Sequence, residues 1–443
     1  MPTELMILML SAPDWVTSLT RETRPDTFWA DYIIWPAIQI VVIMAVVLTL
    51  VAYLVYVERK VSAFMQARLG PMRVGPWGLL QPAADGLKLL LKEDIIPLKA
   101  DKAVFMLAPI ITVVAALVVL AVLPWGPSWA TMANVNIGLL FILAVSSGGV
   151  LGLVLSGWSS NSKYALLGAL RSSAQMVSYE VGMGLSIIGA LMFARTLSMN
   201  GIVEAQVADH NVWYVFFQPL GFILFFICAL GETNRAPFDL PEAESELVAG
   251  YHTEYSGFRW ALFFMAEYTA MIVTSAVAVT LFLGGWSLFG LESYISDPNL
   301  RVIAGIVVFA SKVLLLIYVS MWFRWTFPRY RYDQLMDLGW KWMIPAGLAN
   351  IVLTGIWYVL ALPGEQGGVF GFIVPEAGRN SMTWKGVAYF VVAGFLITIP
   401  IVWIVLARIN RRSHDFNLKA QRQLQIQLRR ERMEKRAEPQ PAE

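Results

Sequence analysis

Cysteine, histidine and charge are all scarce in this 443-residue chain. The single cysteine, Cys228, lies inside an apolar run, which excludes an internal disulfide and any iron–sulfur or cysteine-type zinc site built by this chain alone. The three histidines, His210, His252 and His414, are scattered without ligand spacing, so no metal site is expected. Charged residues make up 14% of the chain, against about a quarter in soluble domains. With 57% hydrophobic residues and a mean hydropathy of +0.61, the composition excludes an ordinary water-soluble fold and points to an all-α integral membrane protein. The net charge of +2 names no partner by itself, and no nucleic-acid partner is expected. The start, MPTELMILMLSAPDW, lacks a basic segment ahead of its short apolar run and is not read as a signal peptide.

What the chain has in abundance is long apolar runs. Those of roughly 17 to 25 residues can cross a bilayer as helices, and they are expected near 33–57, 103–123, 137–157, 175–194, 213–231, 260–284, 302–323, 342–362 and 387–407. The connecting segments 58–102, 158–174, 232–259, 324–341 and 408–443 hold 26 of the 33 basic residues, the alternate set holds six, and Lys312 lies within a span. Lysine and arginine mark the cytoplasmic side. An odd number of spans, with the N-terminus outside and the C-terminus in the cytoplasm, satisfies that bias. The division expected is a non-cytoplasmic segment 1–32, a core 33–362 with cytoplasmic loops 58–102 and 232–259, a connection and extra helix 363–407, and a basic tail 408–443. The tail reads either as a solvated helix held near anionic lipid by its charge or as a docking helix for a partner.

Three charged residues fall inside spans: Glu180, Glu267 and Lys312. A lone charge at a helix centre costs about 3 kcal/mol on insertion scales. Glu180 and Glu267 stand near the cytoplasmic side and could reach water by snorkelling. Lys312 is near mid-span, where a carboxylate partner in the bundle is expected. Together with Glu232, at the end of another span, these residues suggest a hydrophilic path through the bundle.

The stretch GETNRAPFDLPEAESELVAG, residues 231–250, crowds Glu232, Asp239, Glu242, Glu244 and Glu246 around one Arg235. Such acids could simply decorate a helix N-terminus, where carboxylates favour the positive end of the dipole. Clustered acids also repel one another, which tunes some of them to hold or release a proton near neutral pH. Pro237 and Pro241 around apolar Phe238 argue for a loop of set shape, which a purely solvating loop would not need.

After the first span, Leu79, Leu80, Ala83, Leu87, Leu90 and Leu91 repeat with helical spacing, while Asp85, Lys88 and Lys92 occupy other positions. That pattern predicts an amphipathic helix lying in the interface. Gly70-Pro71 and Gly75-Pro76 mark turns ahead of it. Glu58, Arg59 and Arg68 would ring a slot between span and surface helix, suited to a lipid-soluble ligand with a polar head. Plain interfacial anchoring by Lys and Arg explains the same residues.

ERKVSAFMQARLGP, WSSNSKYALLGALRSSAQMVSYEV, GETNRAPFDLPEAESELVAGYHTEYSG, FFMAEYTAM and FRWTFPRYRYDQLMDLGWK, in this order, closely resemble the H-subunit family of bacterial NADH:quinone oxidoreductase, respiratory complex I, whose mitochondrial counterpart is NADH dehydrogenase subunit 1. The resemblance runs from about Trp35 to Leu362. It implies an eight-span core, to which the helix near 387–407 adds a ninth crossing, in a proton-translocating oxidoreductase of the bacterial inner membrane. This subunit would help form a quinone chamber against the peripheral arm. Quinone, whether ubiquinone or menaquinone, is then the substrate, while NADH, flavin and iron–sulfur clusters belong to other subunits. The implied partners are the peripheral-arm quinone-site and terminal iron–sulfur subunits, the antiporter-like membrane subunits, and membrane lipid. On the matching motifs, Glu58, Arg59, Arg68, Asp85 and Lys88 fall in the family's quinone-channel segment. Glu232, Asp239, Glu242, Glu244 and Glu246 fall in its acidic loop, and Glu180, Glu267 and Lys312 among its buried charges. Met72 stands in GPMRVGP where the family is expected to prefer Asn, which removes one polar contact near the quinone entrance.

A stand-alone proton-coupled transporter would also carry buried acids, but it should show an inverted repeat, and none is visible. A hydrogenase membrane anchor would share the bundle and differ in its partners. A passive scaffold would not need Lys312, Glu180 and Glu267 inside spans.

Overall fold

The computed structural model describes residues 34–127, 130–208, 211–239, 248–295, 297–362, 369–371, 373–376, 379–405 and 407. Helix α1 (Trp35–Met65) opens with a proline in its first turn, where the missing N–H costs nothing. It is 31 residues long, so it continues past Glu58 instead of ending before it. The interfacial helix α2 (Gln81–Leu91) follows a turn in which Gly75 and Gly78 have φ of 72° and 83°. A Cβ at Gly78 would lie 2.2 Å from the Pro71 carbonyl oxygen, so only glycine fits there.

Helices α3 (Lys102–Val118), α4 (Gly138–Ser159) and α5 (Lys163–Ala194) pack side by side. Asp101 caps α3 by accepting from the Ala103 and Val104 amides. Small residues set the spacing: a Cβ at Gly152 would fall 2.1 Å from Thr112 Oγ1, and one at Gly157 2.3 Å from the Ala169 methyl. Close backbone approach of this kind is how helices associate where lipid is as apolar as leucine.

Helix α6 (Met199–Ala208) leads to α7 (Tyr214–Phe217) and α8 (Pro219–Glu232). The span expected over 213–231 is thus broken at Gln218, and the 14-residue α8 reaches only about 21 Å, short of a hydrocarbon core of about 30 Å. The break is tied down by buried amides. Asn350 Nδ2 donates to Gln218 Oε1 at 2.9 Å, and Gln218 Nε2 donates to Thr354 Oγ1 at 2.8 Å.

Helix α9 (Gly257–Phe282) is the buried axis of the bundle, with 72% of its spanning window covered by the chain itself. Around it stand α10 (Pro298–Thr326), the continuous α11–α12 unit (Tyr332–Leu338 and Ile344–Ala361, joined by a π turn at Gly339–Met343) and α13 (Trp384–Val405). A short antiparallel hairpin, β1 (Ile373–Glu376) and β2 (Arg379–Met382), precedes α13. Among the described residues eight helices are long and apolar enough to cross a membrane, α13 being one of them. The architecture is the expected all-α integral membrane protein, but the count of nine full crossings is not reached because α8 is short. The N-terminal segment 1–32 and the basic tail 408–443 lie outside the described residues.

Candidate functional site

The loop after α8 is folded back onto α5. Gln175 Nε2 donates to the Gly231 and Phe238 carbonyls at 2.8 and 2.9 Å and lies 3.1 Å from Asn234 Oδ1, while Asn234 Nδ2 donates to Ser172 Oγ at 3.1 Å. Phe238 is buried between the rings of Tyr179 and Tyr330, 5.3 and 5.9 Å away between centroids. Gly231 leaves room for Tyr179, whose ring a Cβ there would meet at 2.7 Å. As far as Asp239 the loop has the set shape that Pro237 and Phe238 implied, while Pro241 lies outside the described residues.

This fold aims Arg235 into the protein, where it is 4% exposed. Its Nη1 lies 3.1 Å from Glu58 Oε2 of α1, and its Nε 2.7 Å from Glu267 Oε1 of α9. The guanidinium sits over the Tyr268 ring, 4.2 Å from the centroid, and Tyr268 OH donates to Glu58 Oε2 at 2.6 Å. Arg324 of α10 pairs with the other Glu58 oxygen. Arg329 Nη2 holds Asp239 Oδ2 at 3.0 Å. Three carboxylates, Glu58, Glu267 and Asp239, thus meet three guanidiniums, drawn from α1, α9, α10 and the loops after α8 and α10. Buried charges persist only when paired and hydrogen-bonded, and the equal numbers fit that rule.

Two groups of this cluster belong to the loop outside the spans. Burial alone would lower the Arg235 pKa, but Glu267, Tyr268 and Glu58 outweigh it and push it above the ordinary arginine value, so Arg235 is a fixed cation. Asp239 goes the other way: burial raises its pKa, and Arg329, Arg324 and Arg235 only partly offset this. Asp239 therefore takes up a proton more readily than an exposed aspartate.

Glu232 and Glu267 share the wall of a cavity of about 80 Å³ with Thr112, Ser146 and Thr274, deep among α3, α4 and α9. Glu232 Oε2 is buried without a hydrogen-bond partner among the described residues, and the charge of Glu180 acts on it from the neighbouring α5. Glu242, Glu244 and Glu246 lie outside the described residues.

Lys312 corrects the expectation of a carboxylate partner. Its ammonium donates to three backbone carbonyls, Leu283 at 2.7 Å, Gly285 at 3.0 Å and Ser287 at 2.6 Å, and lies 4.4 Å from the Trp213 ring centroid. The C-terminal end of α9 and the turn after it offer unpaired carbonyls at the negative end of a helix dipole, which hold the cation without an ion pair among the described residues, and Glu292 acts on it from farther away.

The channel-segment residues divide. Glu58 faces inward and belongs to the Arg235 cluster. Arg59 faces outward and pairs with Asp85 of α2 at 2.7 Å, with Gln81 Nε2 donating to the other Asp85 oxygen at 2.9 Å. Arg68 turns to the neighbouring Gln66 at 2.7 Å, and Lys88 is exposed on α2, so neither joins this group. Met72 accepts from Lys60 Nζ through its sulfur at 2.9 Å. None of the residues of α2 is buried, and its leucine stripe, Leu87, Leu90 and Leu91, is exposed. A stripe uncovered by its own chain suits a helix at an interface.

The loop before α9 and the first turn of α9 clamp the linker after α2 and the start of α3. Arg259 pairs with Asp94 at 2.8 Å, the Ile95 amide donates to Ser256 Oγ at 3.1 Å, and Tyr255 stacks on Phe105 at 4.0 Å. Burial lowers the His252 pKa to about 4, so this histidine is neutral in the folded chain. Among the described residues no three His, Cys, Asp or Glu side chains assemble as a metal ligand set.

Arg235, Arg324, Arg329 and Tyr268 were missing from the expected site residues. Their signals were present in the need of Glu58 and Glu267 for cations, in the arginine-rich stretch FRWTFPRYRY, and in the position of Tyr268 beside Glu267. The profile of the family described as NADH dehydrogenase matches residues 38–355, which spans α1 to α12 and leaves α13 outside. Similar curated proteins are named as H subunits of NADH-quinone oxidoreductase. One from Solibacter usitatus is 49% identical over 72% of this chain and 95% of its own length. Those from Geobacter sulfurreducens and Rhodospirillum rubrum are each 51% identical, covering 73% and 74% of this chain and 95% and 96% of their own length.

Proposed function

The chain belongs to the NADH dehydrogenase family, among the H subunits of NADH-quinone oxidoreductases, and on that premise we propose that its buried carboxylate–arginine cluster couples quinone reduction to proton movement. It is an integral membrane component of a multisubunit oxidoreductase whose substrate is a quinone. The observation that carries the coupling reading is the continuous contact Glu58–Arg235–Glu267, which joins the segment around α1 and α2 to the acidic loop and the cavity beyond it.

In this reading the quinone enters from the bilayer beside α1 and α2, with the Arg59–Asp85 pair at the entrance, in a chamber closed by the peripheral arm. Electrons arrive from the terminal iron–sulfur cluster of a neighbouring subunit. Reduction to the neutral quinol takes two electrons and two protons, and the charge beside Glu58 changes because neighbouring groups give up those protons. Arg235 keeps its own charge, so a change at Glu58 alters how strongly it holds Glu267. Glu267 borders the same cavity as Glu232, and a proton gained or lost there carries the change toward Glu180 and the antiporter-like subunits. Asp239, with its raised proton affinity, stands at the loop end of the route. Glu242, Glu244 and Glu246 extend this reading into the rest of the loop.

The same proposal sets the orientation. The basic segments 158–174 and 232–259 share the cytoplasmic side if α7 and α8 together make one return crossing, which leaves the N-terminus outside and the C-terminus inside. The test uses membranes carrying the assembled complex with Glu58→Gln. NADH oxidation by a water-soluble acceptor that bypasses the quinone should continue, and inhibitor-sensitive quinone reduction should fall. Quinone reduction at the unaltered rate would remove Glu58 from the site.

A further inference from the structure

The break between α7 and α8 is held by two helices, and one of them lies outside the family match. Pro219 has no N–H to donate and Gln218 is non-helical, at φ −129° and ψ 55°, so the hydrogen-bond ladder is interrupted there. The direction of α8 then depends on its neighbours. Asn350 and Thr354 of α12 hold Gln218, and both fall within the NADH dehydrogenase profile, which ends at residue 355. The second neighbour is α13, which begins only at Trp384. The similar H subunits are matched over 95% or 96% of their own length, so little of them remains to supply such a helix.

Helix α13 docks by one stripe. Phe390, Ala393, Gly394 and Ile397 are buried, while Phe395 and Leu396 face outward. The stripe meets the break itself. A Cβ at Gly394 would stand 2.4 Å from the Phe217 carbonyl oxygen and 3.0 Å from Pro219 Cδ, so only glycine lets the two backbones approach this closely. One turn earlier, the Phe390 ring stands edge-on to Phe193 of α5 at 5.0 Å between centroids and lies 6.0 Å from Phe217.

We propose that α13 is a built-in brace for the broken span: Gly394 and Phe390 fix the pivot at Phe217 and Pro219 and thereby position α8. The far end of α8 carries Glu232 and leads into the loop with Arg235. Helix α8 is about 21 Å long, so a tilt of about 5° at the pivot would move Glu232 by about 2 Å, more than a hydrogen bond tolerates. The brace rests on the proposed coupling only for its consequence in quinone reduction.

Cys228, the one cysteine of the chain, reports on α8. It is fully buried, and its sulfur covers Gly182 of α5, where a Cβ would meet it at 2.9 Å. The test follows N-ethylmaleimide labelling of Cys228 by mass spectrometry of this chain, in membranes carrying the assembled complex. Gly394→Val, which forces α13 off the break, should raise the labelling rate by roughly tenfold through local opening. Phe390→Leu, which loosens the same contact, should raise it less, and Leu396→Ala on the outward face should leave it unchanged. With α8 freed, inhibitor-sensitive quinone reduction should lose kcat with little change in KM, because the displacement is at Glu232 and not at the entrance between α1 and α2. Unchanged labelling in Gly394→Val and Phe390→Leu, or an equal rise in Leu396→Ala, overturns the brace. Raised labelling with the normal kcat upholds the brace and contradicts the coupling role of Glu232 instead. Should the Gly394→Val complex not assemble, Phe390→Leu decides.

Discussion

Arg235 and Lys312 are both cations buried in a membrane bundle, and the chain satisfies them in opposite ways. Arg235 is held by ionisable partners, Glu58 and Glu267, with Arg324 competing for Glu58. Lys312 is held by the carbonyls of Leu283, Gly285 and Ser287, which cannot titrate. The partners in the first arrangement are groups that can take up a proton, which the proposed coupling requires. Those in the second are backbone carbonyls fixed by helix geometry. On the proposed function, the first site is the one that an outside charge would shift.

Removing a partner should therefore hurt most at Arg235. Arg235→Met leaves Glu58 and Glu267 facing each other without their shared cation, and breaking a buried pair costs about 3–5 kcal/mol. Loss of the assembled complex from native gels is the expected outcome, and assembly at the normal level would contradict the buried pairing. At Lys312 the loss is smaller. Lys312→Met strands three carbonyls at a cost of about 1–3 kcal/mol, seen as a lower melting temperature of the complex, while Lys312→Arg restores part of it. Smaller again is the exposed Arg59–Asp85 pair, worth about 0.2–1 kcal/mol. Arg59→Gln should hardly change stability and should raise the KM for quinone more than it lowers kcat.

The last contrast is in pH. His252 has an ordinary value of 6.5 and is lowered to about 4 by burial. The unfolded chain binds the proton first, so the neutral histidine contributes stability that is complete above pH 6.5 and declines as the pH falls toward 4. His252→Gln should flatten the acid side of the stability profile and leave the neutral side unchanged, as measured by thermal unfolding across that range.

Much of this was legible in the chain. The apolar runs located the eight long helices, and the buried acids and Lys312 marked where polar chemistry enters the bundle. Pro237 and Phe238 announced the shaped start of the acidic loop. The partners of these charges were not legible, because they come from distant segments: Glu58 meets Arg235 across 177 positions and Arg324 across 266. Composition likewise treated residues 213–231 as one span. The break at Gln218 depends on Asn350 and Thr354 of α12, which reach it only in the folded bundle. Lys312 was assigned an acid partner because sequence displays side chains, whereas the carbonyls at a helix end appear only once the helix stops.

The most direct test is Glu232→Gln in the complex reconstituted into liposomes, with NADH-driven quinone reduction and proton translocation measured together. The substitution keeps the shape of the cavity wall and removes its titratable group. The coupling account predicts that both rates fall together by at least about tenfold. Quinone reduction and proton translocation at the unaltered rates would contradict it.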